Sequence, residues 1–235
     1  MSGVLRQPHG LFSSAVILCH GMESNKESEK IVALAEILSE NGLLTLRFDF
    51  ACANESSGDF ADITYSGEVE DLRAAFDYIL QYPVRNIGVF GSSMGGTVAL
   101  LFAGQEEKVA ALATLAAPLH PEKITEQILS PDGIDEWQRC GYVIYHERRI
   151  NVTLLEDLRT LNVPRTATYL RCPTLVIHGD RDETVPVEEG YELFSLLPAT
   201  KKLSIIQGAD HRFSDPDRLQ QVLDLASGWM TGHLK

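Results

Sequence analysis

No run in this sequence approaches the roughly 20 consecutive apolar residues that a membrane span needs, so no membrane partner is expected. The opening stretch, MSGVLRQPHGLF, lacks a basic segment followed by an apolar stretch and a small-residue cleavage site, so no secretory signal is read there. Positive charge is scarce: 20 Lys+Arg stand against 33 Asp+Glu, a formal net charge of −13. With no basic block, such a chain repels phosphate backbones, and nucleic acid is not an expected partner. Cysteine is sparse too. Cys19, Cys52, Cys140 and Cys172 lie far apart, with no C-x-x-C and no Cys/His ligand cluster. That pattern suits buried thiols in a reducing compartment and implies no metal, with the cytoplasm as the default location. Internal repeats and linker-like tracts are also missing.

What is present is an average globular composition, 44% hydrophobic and 23% charged over 235 residues, enough for one domain spanning 1–235. Short apolar runs rich in β-branched residues occupy 15–19, 43–48, 86–90, 109–115, 174–178 and 202–206. They lack polar alternation, as expected for strands covered on both faces. Stretches 29–41, 65–81, 95–105, 187–197 and 216–229 carry apolar residues at helical spacing, with Gly42 just past the first and Pro186 and Pro216 at helix starts. Repeated β–α units predict an α/β fold with a doubly wound, mainly parallel sheet. Residues 118–171 break the rhythm and read as an insertion over the sheet. Within it, 142–145 and 151–154 read as a hairpin around the polar turn 146–149.

The strongest chemical signal is Gly91-Ser92-Ser93-Met94-Gly95-Gly96. An apolar run feeds into it and a helical run leaves it, the strand–turn–helix setting in which small flanking residues let a serine hydroxyl point outward. Ser93 is the centred serine. A phosphate-cradling loop is the competing reading, but the Lys-Ser/Thr that should follow is missing. Among seven histidines, His211 in Gly208-Ala209-Asp210-His211 lies between the last strand and the last helix, at the carboxyl edge beside the serine. His178 also ends a strand and, with Gly179, reads as shaping the turn that presents the next acid. That loop, His178-Gly179-Asp180-Arg181-Asp182-Glu183-Thr184-Val185-Pro186, offers two carboxylates, Asp180 and Asp182, as the third member. His20-Gly21-Met22-Glu23-Ser24 follows the first strong strand, where this architecture needs a backbone N–H; Met22 and Met94 are the expected oxyanion donors. Met22 also reads as simple pocket lining.

These residues resemble the α/β-hydrolase superfamily over nearly the whole chain, and the order Ser93…Asp…His211 is that superfamily's. More narrowly, the chain is similar to small bacterial esterases of the cinnamoyl/feruloyl type, and more distantly to monoacylglycerol lipases and serine aminopeptidase-like members. His20–Lys26 matches the oxyanion loop, and 178–186 matches H-G-x-x-D-x-x-V-P, which places the acid on Asp182. The stretch 137–142, with Trp137 and Tyr142, followed by the hairpin, resembles the small lid of the cinnamoyl esterases. The family's R-G-x-G-x-S is not kept: Ala51-Cys52-Ala53-Asn54-Glu55-Ser56 stands there, with Asn54 able to replace one glycine in a left-handed conformation.

The resemblance implies a cofactor-free serine carboxylesterase acting on a small-molecule ester of small to medium acyl length. Ser93, Asp182 and His211 would form its triad, with 118–171 as a lid over the acyl pocket. Amide or peptide cleavage by the same triad, and a non-catalytic ligand-binding member of the fold, are the alternatives.

Overall fold

The computed structural model describes residues 1–129, 131–198 and 200–235. The apolar runs become strands because both of their faces are covered. They appear in the order β1 (Gly3–Arg6), β2 (Ser14–Cys19), α1 (Glu29–Glu40), β3 (Leu44–Phe48), α2 (Tyr65–Ile79), β4 (Asn86–Ser92), α3 (Met94–Ala103) and β5 (Val109–Leu115). The segment after β5 holds α4 (Pro121–Ile128), α5 (Pro131–Cys140), β6 (Tyr142–Tyr145), β7 (Arg148–Asn151), α6 (Thr153–Leu158) and α7 (Val163–Ala167). The chain ends with β8 (Thr174–Gly179), α8 (Val187–Leu196), β9 (Lys201–Ile206) and α9 (Pro216–Leu234).

Seven strands form one sheet in the order β1-β3-β2-β4-β5-β8-β9, parallel throughout except for β1, which runs antiparallel to β3. One face packs on α1 and α9 through Leu34, Leu38, Val222 and Met230, the other on α2, α3 and α8 through Leu72, Phe76, Val98 and Leu193. Helix starts are fixed by caps: Thr64 accepts from the Gly67 N–H, and Asp215 accepts from the Asp217 and Arg218 N–H groups ahead of Pro216. Because the central strands are parallel, the loops after β2, β4, β8 and β9 all leave the sheet at one edge. Among the described residues, no helix is long and apolar enough to cross a membrane.

Two sequence expectations need correction here. Strand β1 lies outside the six expected runs; it is a four-residue, half-exposed edge strand with no apolar run to announce it. The hairpin turn is two residues, His146 and Glu147, both at positive φ (45° and 63°), so the return strand is Arg148–Asn151 rather than 151–154. Leu154, expected in that strand, belongs instead to α6, where it is buried with Leu155 and Leu158. Helix α7 packs against α3, on the body of the fold.

Candidate active site

Ser93 sits between β4 and α3 with φ 53° and ψ −125°, a conformation that costs a non-glycine residue strain. The neighbouring glycines make it possible. A Cβ on Gly91 would collide with the Gly95 carbonyl, one on Gly95 with the His20 carbonyl, and one on Gly96 with Ala117. Strand, helix and the loop after β2 are thus pressed together around the serine, whose N–H donates to Leu115 O at 2.8 Å.

Ser93 Oγ lies 3.0 Å from His211 Nε2, and His211 Nδ1 lies 2.8 Å from Asp182 Oδ2. A carboxylate only accepts, so Nδ1 carries the imidazole proton and Nε2 is left to accept from the Ser93 hydroxyl. The Asp182 side chain is fully buried. Burial on its own would raise its pKa, but hydrogen bonds from His178, His211 and the Val185 N–H hold the carboxyl well below the usual carboxylate range. Its Oδ1 accepts from the Thr184 and Val185 N–H groups at 2.9 and 2.8 Å. His178 Nε2–H donates to Val185 O at 2.9 Å and faces Asp182 Oδ2 at 3.4 Å. Asp180 does something else: its Oδ1 accepts from the Gly208 N–H at 2.5 Å, while Arg181 N–H donates to Ala209 O at 3.0 Å. It ties the acid loop to the histidine loop rather than touching the imidazole.

The loop after β2 is fixed by His20, which is buried. Phe50 N–H donates to its Nε2 at 3.2 Å, so Nδ1 carries the proton and donates to Gly21 O at 2.8 Å. Burial lowers its pKa, consistent with a neutral ring. Met22 lines the same cavity as Ser93 and Met94, and the Met94 N–H, first in α3, has no intrahelical acceptor.

That cavity has a volume of about 380 Å³. Trp137, Val143, Tyr145, Ile150, Leu154 and Leu158 line its side under segment 118–171. Trp137 is nearly fully buried and donates from Nε1 to Ile150 O at 3.1 Å, joining α5 to the hairpin. Tyr142 is not brought to the site. Side chains alternate along β6, so Val143 and Tyr145 face inward while Tyr142, 40% exposed, points outward under the Arg149 guanidinium. At the hairpin tip His146 Nδ1 lies 3.0 Å from Glu23 of the loop after β2.

The stretch 51–56 keeps the turn that its missing glycines should have made. Cys52 (φ 67°) and Asn54 (φ 46°) stand at the two glycine positions, and both are left-handed. Fully buried Asp49 anchors this loop: it accepts from Lys26 Nζ at 2.7 Å, from Lys26 N–H at 2.7 Å and from Asn54 Nδ2 at 3.0 Å. Sequence reasoning missed this buried pair, although Lys26 lies inside the oxyanion-loop match and Asp49 stands two residues before the 51–56 loop. Among the described residues no group of three or more His, Cys, Asp or Glu is placed to hold a metal ion.

A family model described as an alpha/beta hydrolase domain matches residues 12–149. The structure of Est1E from Butyrivibrio proteoclasticus with ferulic acid bound superposes with a TM-score of 0.89 at 26% identity, covering 99% of this chain and 94% of that one. The mitochondrial palmitoyl-protein thioesterase ABHD10 of Mus musculus is 25% identical over 215 residues, covering 85% of this chain and 69% of its own length. Two Mycobacterium tuberculosis proteins described as phosphoribosyl transferases are 26% identical over 98% of this chain, which spans only 43% of their length.

Proposed function

We propose that this chain, which belongs to the alpha/beta hydrolase family, hydrolyses carboxylic esters of small to medium acyl groups through Ser93, His211 and Asp182. The observation that supports this most directly is the unbroken relay from Ser93 Oγ to His211 Nε2 (3.0 Å) and from His211 Nδ1 to Asp182 Oδ2 (2.8 Å). In this reading His211 takes the hydroxyl proton as Ser93 Oγ attacks the ester carbonyl. The imidazolium that forms is stabilised by Asp182, and the oxyanion is received by the Met22 and Met94 N–H groups. His211 then gives its proton to the departing alkoxide, leaving an acyl-serine. Water, deprotonated by the same imidazole, releases the acid and restores the hydroxyl. No step calls on a cofactor.

Segment 118–171 acts as the lid of the acyl pocket, supported by the inward apolar wall of Trp137, Tyr145 and Leu154. The reaction is assigned to the cytoplasm, which suits four free thiols. The test is hydrolysis of p-nitrophenyl acetate beside an aminoacyl anilide, together with labelling by a fluorophosphonate probe. Ester turnover that disappears in Ser93→Ala, along with the label, supports the reading. Anilide cleavage in preference to ester cleavage would replace it with the peptidase alternative, and no labelling of the wild type would replace it with a binding role.

A further inference from the structure

Cations are scarce in this chain, and several are committed to ion pairs, among them Lys26, Arg47, Arg171 and Arg218. Two that line the cavity beside Ser93, half-buried Lys30 and exposed Arg212, are not: among the described residues neither forms an ion pair with a carboxylate. Lys30 is in the first turn of α1, where the helix dipole disfavours a positive charge. Its Nζ reaches Ser92 Oγ at 3.5 Å, next to the nucleophile, and lies 6.0 Å from the Phe213 ring. Burial lowers its pKa and the Arg212 charge adds to that, while the more distant charges of Asp210 and Asp182 raise it without offsetting the burial. Ser28 lines the same cavity; its Oγ is buried without a hydrogen-bond partner and leaves α1 uncapped. Ile31 and Val32 N–H donate to Ser28 O, both at 3.0 Å, which leaves the Glu29 and Lys30 amides as the ones without an intrahelical acceptor.

The nearby carboxylates are engaged elsewhere. Asp182 is held by His211 and His178, Asp210 accepts from Ser214 N–H and Oγ at 2.8 and 2.7 Å, and Glu23 faces His146. Glu29 lines only a neighbouring cavity of about 220 Å³, which shares Lys30 and Arg212 with the main one and includes no residue of 118–171. The two cations thus extend from the main cavity into one that 118–171 does not reach, although Arg212 also stands close enough to the Tyr145 phenol of the hairpin to act on it electrostatically. Arg212 follows His211 directly, and in the esterase reading His211 is the group that protonates the leaving oxygen.

We propose that Lys30 and Arg212, with Ser28, form a subsite for an anionic group, a carboxylate or a phosphate, carried on the leaving-group half of the substrate. This rests on the serine-esterase reading above. It narrows the substrate class to esters of an acidic alcohol or phenol.

The test uses three esters with one acyl group: 4-(butanoyloxy)benzoate, its neutral methyl ester, and 4-(butanoyloxy)phenyl phosphate. The readout is the ratio of kcat/KM for each anionic ester to that for the neutral one. In the wild type at least one ratio is expected to be about tenfold or more, as charge-assisted hydrogen bonds in a cavity imply, and to fall with added salt. The larger of the two tells a carboxylate from a phosphate. Lys30→Gln with Arg212→Gln should bring the ratios close to one, and Lys30→Arg should keep them. Ratios near one in the wild type, or ratios that survive the double substitution, overturn the subsite while turnover itself upholds the esterase reading. Preference for an anion only on the acyl half, in mono-(4-nitrophenyl) glutarate over 4-nitrophenyl butanoate, overturns its placement. If no ester is turned over and a fluorophosphonate does not label Ser93, both readings fall together.

Discussion

Replacing Asp182 with asparagine exchanges one oxygen for an amide nitrogen and removes a charge at almost constant volume, and the structure says what each change does. Oδ1 of residue 182 accepts from two backbone N–H groups at 2.9 and 2.8 Å. The asparagine oxygen stays there, because turning the amide would point its NH2 at both donors. Its Nδ2 then faces His211 Nδ1, which must become the acceptor, and the imidazole proton moves to Nε2. That nitrogen lies 3.0 Å from Ser93 Oγ and can no longer take the serine proton. The lost charge matters as well. A carboxylate 2.8 Å from an imidazolium nitrogen contributes roughly 6 kcal/mol at an effective dielectric near 20, or about four orders of magnitude in rate. Asp182→Asn should therefore lower kcat/KM for p-nitrophenyl butanoate by about 10⁴. Asp180→Asn should stay within about threefold, since its oxygen can still accept from Gly208 N–H. Rates should be normalised to sites titrated with a fluorophosphonate, so that unfolded protein does not count as slow enzyme. Stability offers a second readout. The depressed carboxyl of Asp182 contributes fully above the unfolded range near pH 4 and loses that contribution as pH falls below it. The wild-type Tm should thus fall more steeply than the variant's below pH 4. An Asp182→Asn enzyme within tenfold of wild type, or Asp180→Asn as the more damaging change, would refute the assignment.

Other outcomes follow from single contacts. Tyr145→Ala, at the half-buried inner face of β6, should shift the preference between short and aromatic acyl esters with Tm nearly unchanged, while Tyr142→Ala on the outer face alters neither; a rate panel with thermal melts separates them. Trp137→Ala should cost about 3–5 kcal/mol of stability in denaturant titration, because a nearly fully buried ring and its bond to Ile150 O are both lost. Lys26→Met should cost about 3–5 kcal/mol by leaving Asp49 buried with its charge unpaired; a loss under 1 kcal/mol would show that the pair is not structural. Burial, with the Asp71 charge beside it, pushes the Glu68 carboxyl well up in the folded state, whereas the unfolded side chain ionises in the ordinary carboxylate range. Stability then falls as pH rises through that window, so Glu68→Gln should raise Tm, and by more at pH 8 than at pH 5.

Much of the fold was legible because parallel strands buried on both faces leave apolar runs in the sequence, and the elbow because its glycines are forced by atoms a few ångströms away. The face of the lid was not. A hairpin's parity turns on one residue, and a His-Glu turn at positive φ does not announce itself as an Asn-Gly pair would. Tyr142 and Tyr145 are chemically equivalent candidates in the sequence; only the strand register sends one inward. Lys30 and Arg212 stand 182 positions apart, and nothing local marks either as a neighbour of the serine.

The loop at 51–56 shows how a motif can be lost in letters and kept in shape. Two non-glycine residues hold left-handed conformations there, each at a cost of about 1–2 kcal/mol for an ordinary side chain, less for asparagine. Something must hold them. Asp49 accepts from Asn54 and from the Glu55 N–H, its own carbonyl accepts from Ser56 Oγ at 2.6 Å, and Lys26 bridges it to Glu55. Lys26 belongs to the loop that carries Met22, so one buried carboxylate anchors both the strained turn and the loop beside the nucleophile. The strain at Cys52 and Asn54 is then paid by contacts that also fix where the Met22 amide sits, which is why a change at Asn54 should register in turnover as well as in stability.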